Sequence, residues 1–305
     1  MIMTLQDKLR AGRFVITAEV TPPVTADRAE FIAKAMPLKG KADAVNITDG
    51  AGARPHLGAV TAAALLVETG IEPILQFTCR DRNRIALQGD LLAAAASGVR
   101  NILALRGDDP SAGDQPDAKP VFDLDPRQLL ETARQLRDKG ELPGGRKVAG
   151  SAPFFLGCAD NPVDPKPGWE PKGLAAKVGA GAQFVQTQFC MDAGVVRRYI
   201  ARLAEQGLAG KLSVLIGVVP LRSAKSARWI KDKLFGAIIP DALIERMESA
   251  GDPIAEGRRI CLDLIAELAG IPHVAGCHIM APGNDAVVPD IIAAARDNVQ
   301  RLTPA

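Results

Sequence analysis

The sequence predicts an α/β fold of the (β/α)8 TIM-barrel class, and two observations carry this prediction. Eight short runs rich in valine, isoleucine and phenylalanine recur along the 305 residues, at intervals of roughly 25 to 35 residues. Amphipathic helical patterns fill the intervals between these runs. An α/β barrel commonly uses about 250 residues or more as one domain, so we expect residues 1–305 to form a single (β/α)8-barrel domain.

Each predicted strand is largely apolar, as expected for parallel strands whose two faces are both covered. The eight runs are Arg13–Val20, Ala42–Thr48, Glu72–Thr78, Val99–Leu105, Val148–Leu156, Gln183–Phe189, Leu212–Val219 and His273–Met280. The clearest helices between them are Asp27–Met36, Gly58–Glu68, Arg82–Ser97, Pro126–Lys139, Lys172–Ala180, Ala193–Gln206 and Pro253–Leu268. A helical segment at Ala224–Ser249, interrupted around Gly236–Pro240, follows the seventh strand, and Ala286–Arg301 forms the last helix.

An open doubly wound sheet is the alternative for a chain of alternating strands and helices. Its Rossmann version requires the pattern GxGxxG directly after the first strand, where the glycines let a dinucleotide approach the backbone. Here the first strand ends in Glu19-Val-Thr-Pro-Pro23 instead. A partial match at Gly179–Phe184 lies between a helix and a strand, which is typical of a helix C-cap. The barrel is therefore the favoured architecture.

The composition argues against several classes of function. The net charge is +2 and no apolar stretch reaches about 18 residues, so we expect neither a nucleic-acid partner nor a membrane span. Residues 1–13 show no secretory signal, so we expect a cytoplasmic location. The five cysteines form no CxxC pair, which predicts free and buried thiols. The three histidines lack the spacing of metal ligands, so we expect no metal site.

The glutamate of the first strand is the leading candidate for acid–base chemistry, because the C-terminal strand ends of a barrel carry its catalytic groups. Glu19 lies among Val15, Ile16 and Val20. A carboxyl group in apolar surroundings holds its proton more readily, as a general acid requires. An ion pair with a buried cation is the alternative role.

Other strand ends also carry polar residues. Strand four leads into Arg106–Asp108, where the arginine could hold a phosphate and the aspartate could meet a heterocycle, or the segment could form a solvated turn. Gln186 and Gln188 are two residues apart in strand six and face the same side, so both need hydrogen-bond partners if that side is the lumen. His278, near the end of strand eight, could line the same pocket or simply pack there.

Taken together, these strand ends resemble the methylenetetrahydrofolate reductase family. Glu19, followed by a proline pair, matches the family's first-strand glutamate, and Leu105–Pro110 matches its Leu-Arg-Gly-Asp segment. Gly181-Ala182 with Thr187–Phe189 matches its Gly-Ala and Thr-Gln-Phe segments, and Thr78-Cys79 matches the end of its third strand. The four motifs occur in the family's order over nearly the whole chain.

Members of this family are (β/α)8 barrels that bind FAD and use NADH or NADPH to reduce 5,10-methylenetetrahydrofolate to 5-methyltetrahydrofolate. The resemblance implies that Glu19 is the general acid, which protonates N10 so that the folate ring opens to an N5 iminium ion. It implies that Asp108 lies near the pterin and the flavin, and that Gln188 hydrogen-bonds the pterin. The substrate-binding positions that it implies are Glu19, Gln188, Trp229, Ile230 and His278.

The resemblance also implies an FAD site across the strand ends. The positions are Thr48, Asp49, Gly50, Ala51, Gln76, Leu105, Arg106, Gly107, Asp108, Ala159, Asn161, Glu170 and Lys177. The chain departs from the family at four positions, where Asp49 and Asn161 replace tyrosines, Gln76 replaces a histidine and Ile230 replaces an aromatic residue that stacks on substrate. These departures predict loosely held FAD, with direct hydride transfer from the nicotinamide as the alternative.

Two other functions stay open at this stage. A barrel that passes the methyl group of methyltetrahydrofolate to a corrinoid would need neither flavin nor an acid at Glu19. A non-catalytic folate-binding subunit could lose Glu19, Asp108 and Gln188, yet all three are present. The resemblance favours the reductase, with folate and a nicotinamide dinucleotide as small-molecule partners and a homo-oligomeric assembly.

Overall fold

Eight parallel strands close into a barrel in a computed structural model, which describes residues 3–302. Each strand pairs with the next along the chain, and β8 pairs with β1. The strands are Val15–Val20 (β1), Val45–Ile47 (β2), Pro73–Thr78 (β3), Asn101–Leu105 (β4), Phe155–Asp160 (β5), Phe184–Phe189 (β6), Ser213–Val218 (β7) and Val274–Ile279 (β8). The predicted (β/α)8 barrel is confirmed.

The helices surround this barrel, apart from α1, which precedes the first strand. They are Leu5–Arg10 (α1), Arg28–Ala35 (α2), Ala59–Thr69 (α3), Arg84–Ala96 (α4), Pro126–Lys139 (α5), Lys172–Ala180 (α6), Ala193–Glu205 (α7), Ala224–Lys233 (α8), Asp241–Glu248 (α9), Pro253–Ala269 (α10) and Val288–Leu302 (α11). The predicted interruption at Gly236–Pro240 separates α8 from α9. No helix within the described residues is both long and apolar enough to cross a membrane.

Local signals in the sequence set the helix ends, as α5 illustrates. Asp125 caps its N-terminus by accepting from the Gln128 N–H, and the Gln128 side chain bonds back to the Asp125 N–H. Pro126 occupies the first position, where a missing N–H costs nothing, and Gly140 ends the helix in the left-handed conformation. Burial of its apolar face against α6 and β4 then places the helix on the barrel wall.

The fifth predicted strand, Val148–Leu156, was wrong in its position. The observed β5 is Phe155–Asp160, so the two overlap by only two residues. Val148 instead donates its N–H to the Gly140 carbonyl within a short hairpin closed by the Glu141–Lys147 bridge. Gly150 adopts φ 89°, which interrupts the extended backbone that a strand requires. The first residues of the predicted strand therefore do not form one, although some of them are apolar.

Helix α1 was not predicted, and it closes the N-terminal end of the barrel. Leu5 is fully buried in the lumen, in the cluster that contains Val15, Leu103 and Phe184. The carboxylate of Glu72 accepts the Leu5 N–H at 2.9 and 3.0 Å, at the positive end of the helix. A six-residue helix is too short to be stable alone, so these tertiary contacts hold it in place.

Glu72 predicts a pH dependence of stability. Burial raises its pKa above the ordinary value of 4.5, because removal from water outweighs the hydrogen bonds from Asn101 and the Leu5 N–H. The native state then binds this proton more tightly than the unfolded chain, so the free energy of unfolding should decrease as pH rises from about 4.5 through the raised pKa. In Glu72→Gln this decrease should disappear. Denaturation at a series of pH values tests it, and parallel curves for the two proteins would refute it.

Alternation along the strands divides the lumen into layers. The lowest layer is apolar and is formed by Val15, Ile74, Leu103, Phe184 and Leu215 among others. Side chains two residues apart on a strand share a face, so the next inward positions lie one pleat higher. Several of these positions carry polar side chains. This polar layer lies directly below the C-terminal strand ends.

Candidate active site

A buried polar layer fills the middle of the barrel. It consists of Thr17 (β1), Asn46 (β2), Gln186 (β6) and His278 (β8), all at most 3% exposed. Asn46 Nδ2 donates to Gln186 Oε1 at 2.6 Å, and Gln186 Nε2 donates to Asn46 Oδ1 at 3.0 Å and to Thr17 Oγ1 at 3.1 Å. His278 Nδ1 lies 3.0 Å from Thr17 Oγ1. We call these four residues the polar floor.

Glu19 stands on the polar floor at the C-terminal end of β1, and its side chain is 23% exposed. Gln76 Nε2 donates to its Oε2 at 2.7 Å, and His278 Nε2 lies 3.8 Å from the same oxygen. The carboxyl group is therefore held through one oxygen, and the other has no hydrogen-bond partner among the described residues. Gln76, which the resemblance implies as a flavin contact, here holds Glu19.

Asp49, another implied cofactor position, is tied to the end of β3. Its Oδ2 accepts from the Thr78 N–H at 2.8 Å and the Thr78 hydroxyl at 2.9 Å, and it forms an ion pair with Arg82. Arg82 also pairs with Asp90 at 2.9 Å and lies over the Phe77 ring at 4.4 Å. The carboxylate thus joins the β2 and β3 strand ends, where the family resemblance placed a tyrosine.

Arg80 organises the same edge and was missed by the sequence analysis. Its side chain is 5% exposed and donates to the carbonyls of Gly50 at 3.1 Å and Asp108 at 3.3 Å, while Asp81 binds the guanidinium at 2.7 Å. Gly50 has φ 65°, and a Cβ there would lie 2.2 Å from Arg80 Nη2, so only glycine fits. An arginine directly after an apolar strand was the available signal.

Asp108 links the two loops that follow β2 and β4. Its Oδ2 accepts from the Gly52 N–H at 2.8 Å. The loops also pack closely at Gly113, where a Cβ would lie 2.0 Å from the Ala53 carbonyl oxygen. Asp108 is itself exposed at the rim, so this carboxylate can meet a ligand as well as join the loops.

Five of the implied cofactor positions line one cavity of about 200 Å³ between β4 and β5. They are Leu105, Arg106, Ala159, Asn161 and Lys177. Lys177 Nζ donates to the Ala159 carbonyl at 2.7 Å, and the Arg106 guanidinium lies 4.3 Å from the centre of the Phe122 ring. Burial raises the pKa of Asp160 in the same wall, although Tyr199 donates to its carboxylate. Two cations therefore face a small cavity that suits an anionic group.

The remaining cofactor positions are a buried threonine, three residues of the rim and one exposed glutamate. Thr48 is 2% exposed, and its hydroxyl has no hydrogen-bond partner among the described residues, so a ligand could satisfy it. Gly50, Ala51 and Gly107 form the glycine-rich rim beside it. Glu170 is exposed and lies 3.6 Å from Lys172, a surface pair that contributes little to stability.

The implied substrate positions on β6 and α8 are only partly brought together. Gln188 Nε2 makes a long hydrogen bond of 3.4 Å to the Phe235 carbonyl, at the barrel mouth. Ile230 is 5% exposed in the core, and Trp229 is 53% exposed on the solvent side of α8. Phe235, 87% exposed beside Gln188, presents an aromatic ring that the sequence analysis did not select, because it follows the helix rather than a strand.

A cavity of about 890 Å³ opens at the opposite end of the barrel. Arg13, Gln183, Lys211 and His273 are among the residues that line it, and none of the predicted site residues does. Catalytic groups of barrels gather at the C-terminal strand ends, where Glu19 lies, so we assign the site there. No cluster of three or more metal-binding side chains occurs within residues 3–302. All five cysteines are buried and unpaired, as predicted.

Comparisons with known proteins agree on one family. A family model described as methylenetetrahydrofolate reductase matches residues 4–296. The probable methylenetetrahydrofolate reductase (NADPH) of Caenorhabditis elegans is 26% identical over 239 residues, which are 76% of this chain and 33% of that protein. The 5,10-methylenetetrahydrofolate reductase of Pectobacterium carotovorum subsp. carotovorum is 27% identical over 219 residues, 70% of this chain and 66% of that one.

Similarity to solved structures supports the fold. A Clostridium thermocellum protein that binds two copies of 5-methyl-5,6,7,8-tetrahydrofolic acid has a TM-score of 0.65 at 15% identity, covering 97% of this chain and 99% of that chain. The chain spans only 33% and 39% of the lengths of two of its eukaryotic relatives, so it corresponds to one part of those proteins. With a family model that matches almost its entire length, the chain belongs to the methylenetetrahydrofolate reductase family.

Proposed function

We propose that this chain reduces 5,10-methylenetetrahydrofolate to 5-methyltetrahydrofolate with electrons from NADH or NADPH. The observation that carries the proposal is Glu19, a carboxyl group at the C-terminal end of β1 that is held through Oε2 while Oε1 has no hydrogen-bond partner among the described residues. A group fixed in this way can reach a bound substrate atom without the entropy cost of being ordered first. Family membership supplies the substrate class.

In the proposed reaction, Glu19 transfers a proton from Oε1 to N10 of the folate. The bond between N10 and the bridging carbon breaks, its electron pair stays on N10, and the bridging carbon becomes an iminium with N5. Hydride addition to that carbon then gives the methyl group, with oxidation of the nicotinamide. The proton balances the electron pair left on N10, so the chemistry needs an acid at this position.

Asp108 and Gln188 would orient the pterin. The Gln188 amide is available, because its contact with the Phe235 carbonyl is long and breaks at little cost. The Asp108 carboxylate is exposed at the rim and accepts from a backbone N–H that fixes its direction. The Gln188 Oε1 accepts from the Phe189 N–H at 3.0 Å, which orients the amide and leaves its Nε2 protons to meet the ligand.

We also propose an FAD site, because a bound flavin would supply reversible two-electron chemistry between the nicotinamide and the folate. The residues present fit parts of such a group: the unpartnered Thr48 hydroxyl, the glycines of the rim, and the cations Arg106 and Lys177 facing one cavity. The flavin would lack the two tyrosines at Asp49 and Asn161, which is consistent with a weak complex.

Lys177→Gln should weaken FAD binding about tenfold or more. The substitution removes a charge that faces the β4–β5 cavity, and a hydrogen bond to a charged group contributes roughly 1.5 to 3 kcal/mol. Titration of the protein with FAD, followed by flavin fluorescence, measures the change. Lys172→Gln on the same helix is the control, because its side chain is 84% exposed and should leave binding unchanged. Equal affinities for wild type and Lys177→Gln would contradict this placement of FAD.

The direct test is optical. FAD-loaded protein should be bleached by NADH or NADPH, and methylenetetrahydrofolate should restore the yellow colour in the absence of oxygen. Folate reduction by a protein that binds no FAD would remove the flavin from the proposal and leave the reaction. Bleaching without recovery would refute folate as the oxidant.

We further propose a cytoplasmic homo-oligomer. Sedimentation of the native protein tests its oligomeric state.

A further inference from the structure

The polar floor beneath Glu19 has a defined order of donors and acceptors. The amides of Asn46 and Gln186 pair reciprocally, at 2.6 and 3.0 Å. The second proton on Gln186 Nε2 is donated to Thr17 Oγ1 at 3.1 Å. A hydroxyl oxygen that accepts one hydrogen bond still has its own proton to donate, so Thr17 must have an acceptor of its own.

Two acceptors lie near the Thr17 hydroxyl. His278 Nδ1 is at 3.0 Å and the Cys277 carbonyl oxygen is at 3.4 Å. The first distance is that of a good hydrogen bond and the second is long. If Thr17 donates to Nδ1, that nitrogen carries no proton, and the neutral imidazole carries its proton on Nε2.

We propose that His278 is a positioning residue for Glu19, fixed by Thr17 as the tautomer with its proton on Nε2. This inference rests on the proposed role of Glu19 as the proton donor. Gln76 Nε2 donates to Glu19 Oε2 at 2.7 Å, and His278 Nε2 lies 3.8 Å from the same oxygen, too far for a hydrogen bond but close enough for an N–H dipole there to favour an acceptor. Oε2 is thereby fixed as an acceptor, and Oε1 is the oxygen that carries the proton to the substrate.

The reversed order of donors and acceptors would place the proton of His278 on the other ring nitrogen. With both amides of the polar floor reversed, Thr17 would donate to Gln186 and accept from a proton on His278 Nδ1. Nε2 of His278 would then be an acceptor, and a protonated Glu19 would donate to it through Oε2. The proton would be drawn towards the floor and away from the substrate, so the position of one histidine proton decides which oxygen of Glu19 is reactive.

His56 provides an internal control for this measurement. Its Nε2 accepts from the Gly50 N–H at 2.9 Å, so its proton must lie on Nδ1, which is 2.8 Å from the Leu57 carbonyl oxygen. The chain has three histidines, and the third, His273, is exposed. The two buried or half-buried rings are therefore expected to be opposite tautomers in one protein.

The experiment is nitrogen-15 NMR of the full chain with labelled histidine, at neutral pH and without substrate. Two-bond correlations between ring protons and nitrogens distinguish the tautomers, and His278→Gln assigns the signal. We expect the proton on Nε2 in His278 and on Nδ1 in His56. A proton on Nδ1 of His278, or on both of its nitrogens, would overturn the proposal. This readout needs no turnover, so it is independent of whether the chain reduces folate.

A pair of Thr17 variants tests the functional consequence. Thr17→Val preserves the shape and removes the hydroxyl, whereas Thr17→Ser keeps the hydroxyl. Thr17→Val should give a mixture of His278 tautomers and lower kcat about tenfold, or about 1.4 kcal/mol, with KM unchanged. Thr17→Ser should keep both properties. Wild-type tautomer and kcat in a folded Thr17→Val protein would overturn the positioning role, and circular dichroism checks the fold.

Discussion

Glu19→Gln is expected to slow the reduction of methylenetetrahydrofolate by about 100-fold or more, the scale of losing a general acid. Glutamine has the same shape and can still accept from Gln76, but it has no proton to transfer to N10. The oxidation of NADH or NADPH by bound flavin should continue, because it does not require this proton. The effect should therefore appear only in the folate half of the reaction.

Stopped-flow absorbance separates the two halves of the reaction. The rate at which the nicotinamide reduces the enzyme and the rate at which folate reoxidises it are measured in wild type and Glu19→Gln. Glu267→Gln is the matched control, because that carboxylate lies outside the proposed site and is 50% exposed in a surface pair with Arg197. Folate reduction at the wild-type rate in a Glu19→Gln protein would remove Glu19 from the chemistry.

Asp49→Ala is expected to lower the free energy of unfolding by about 2 to 3 kcal/mol. The substitution leaves Arg82, 17% exposed, without its partly buried partner, and it leaves the Thr78 N–H and hydroxyl without their acceptor. Loss of one partner of a buried pair costs more than the pair contributes, because the remaining charge and donors stay desolvated. Arg82 keeps Asp90 and the Thr78 carbonyl, which limits the loss.

Urea denaturation of two further variants makes this test specific. Asp49→Asn keeps an oxygen acceptor for Thr78 and should lose less than Asp49→Ala. Asp90→Ala removes the other partner of Arg82, but that carboxylate is 37% exposed, so we expect a change within about 0.5 kcal/mol. Equal stability of Asp49→Ala and wild type would show that this edge of the barrel does not depend on the ion pair.

The barrel could be predicted from the sequence because parallel strands covered on both faces leave a repeated apolar signal. The error at strand five has a local cause: Val148 belongs to a hairpin stabilised by backbone hydrogen bonds, and the strand begins only at Phe155. Helix α1 was not predicted, because six residues are too few to show a clear hydrophobic periodicity. Its capping box, Thr4 with Asp7, was the visible signal.

The sequence predicted individual polar residues of the candidate site but not the connections between them. Glu19, Gln186 and His278 stood out as polar groups on apolar strands. Their partners did not, because Thr17 and Asn46 are neighbours of Gln186 only once the barrel has closed. Polarity and spacing along one strand cannot show which side chains face one another across a lumen.

The rim shows the same limit. The resemblance implies cofactor contact at Asp49 and none at Arg80, yet both side chains hold neighbouring strand ends together. Ile230 aligned with a substrate-stacking aromatic, but the amphipathic face of α8 turns it into the core. Phe235 is exposed beside Gln188 because a segment after α8 pairs with the end of β6, a contact between distant parts of the chain.

A single-turnover measurement shows whether the chain reduces folate with electrons from a nicotinamide. Enzyme reconstituted with FAD is reduced with one equivalent of NADH or NADPH under anaerobic conditions, methylenetetrahydrofolate is added, and the folate products are separated by chromatography. We expect one 5-methyltetrahydrofolate for each nicotinamide oxidised. Glu19→Gln should form no comparable amount of product within the time that the wild-type reaction takes. Folate that is bound but recovered unchanged, or a methyl group that moves only when a corrinoid is supplied, would contradict it.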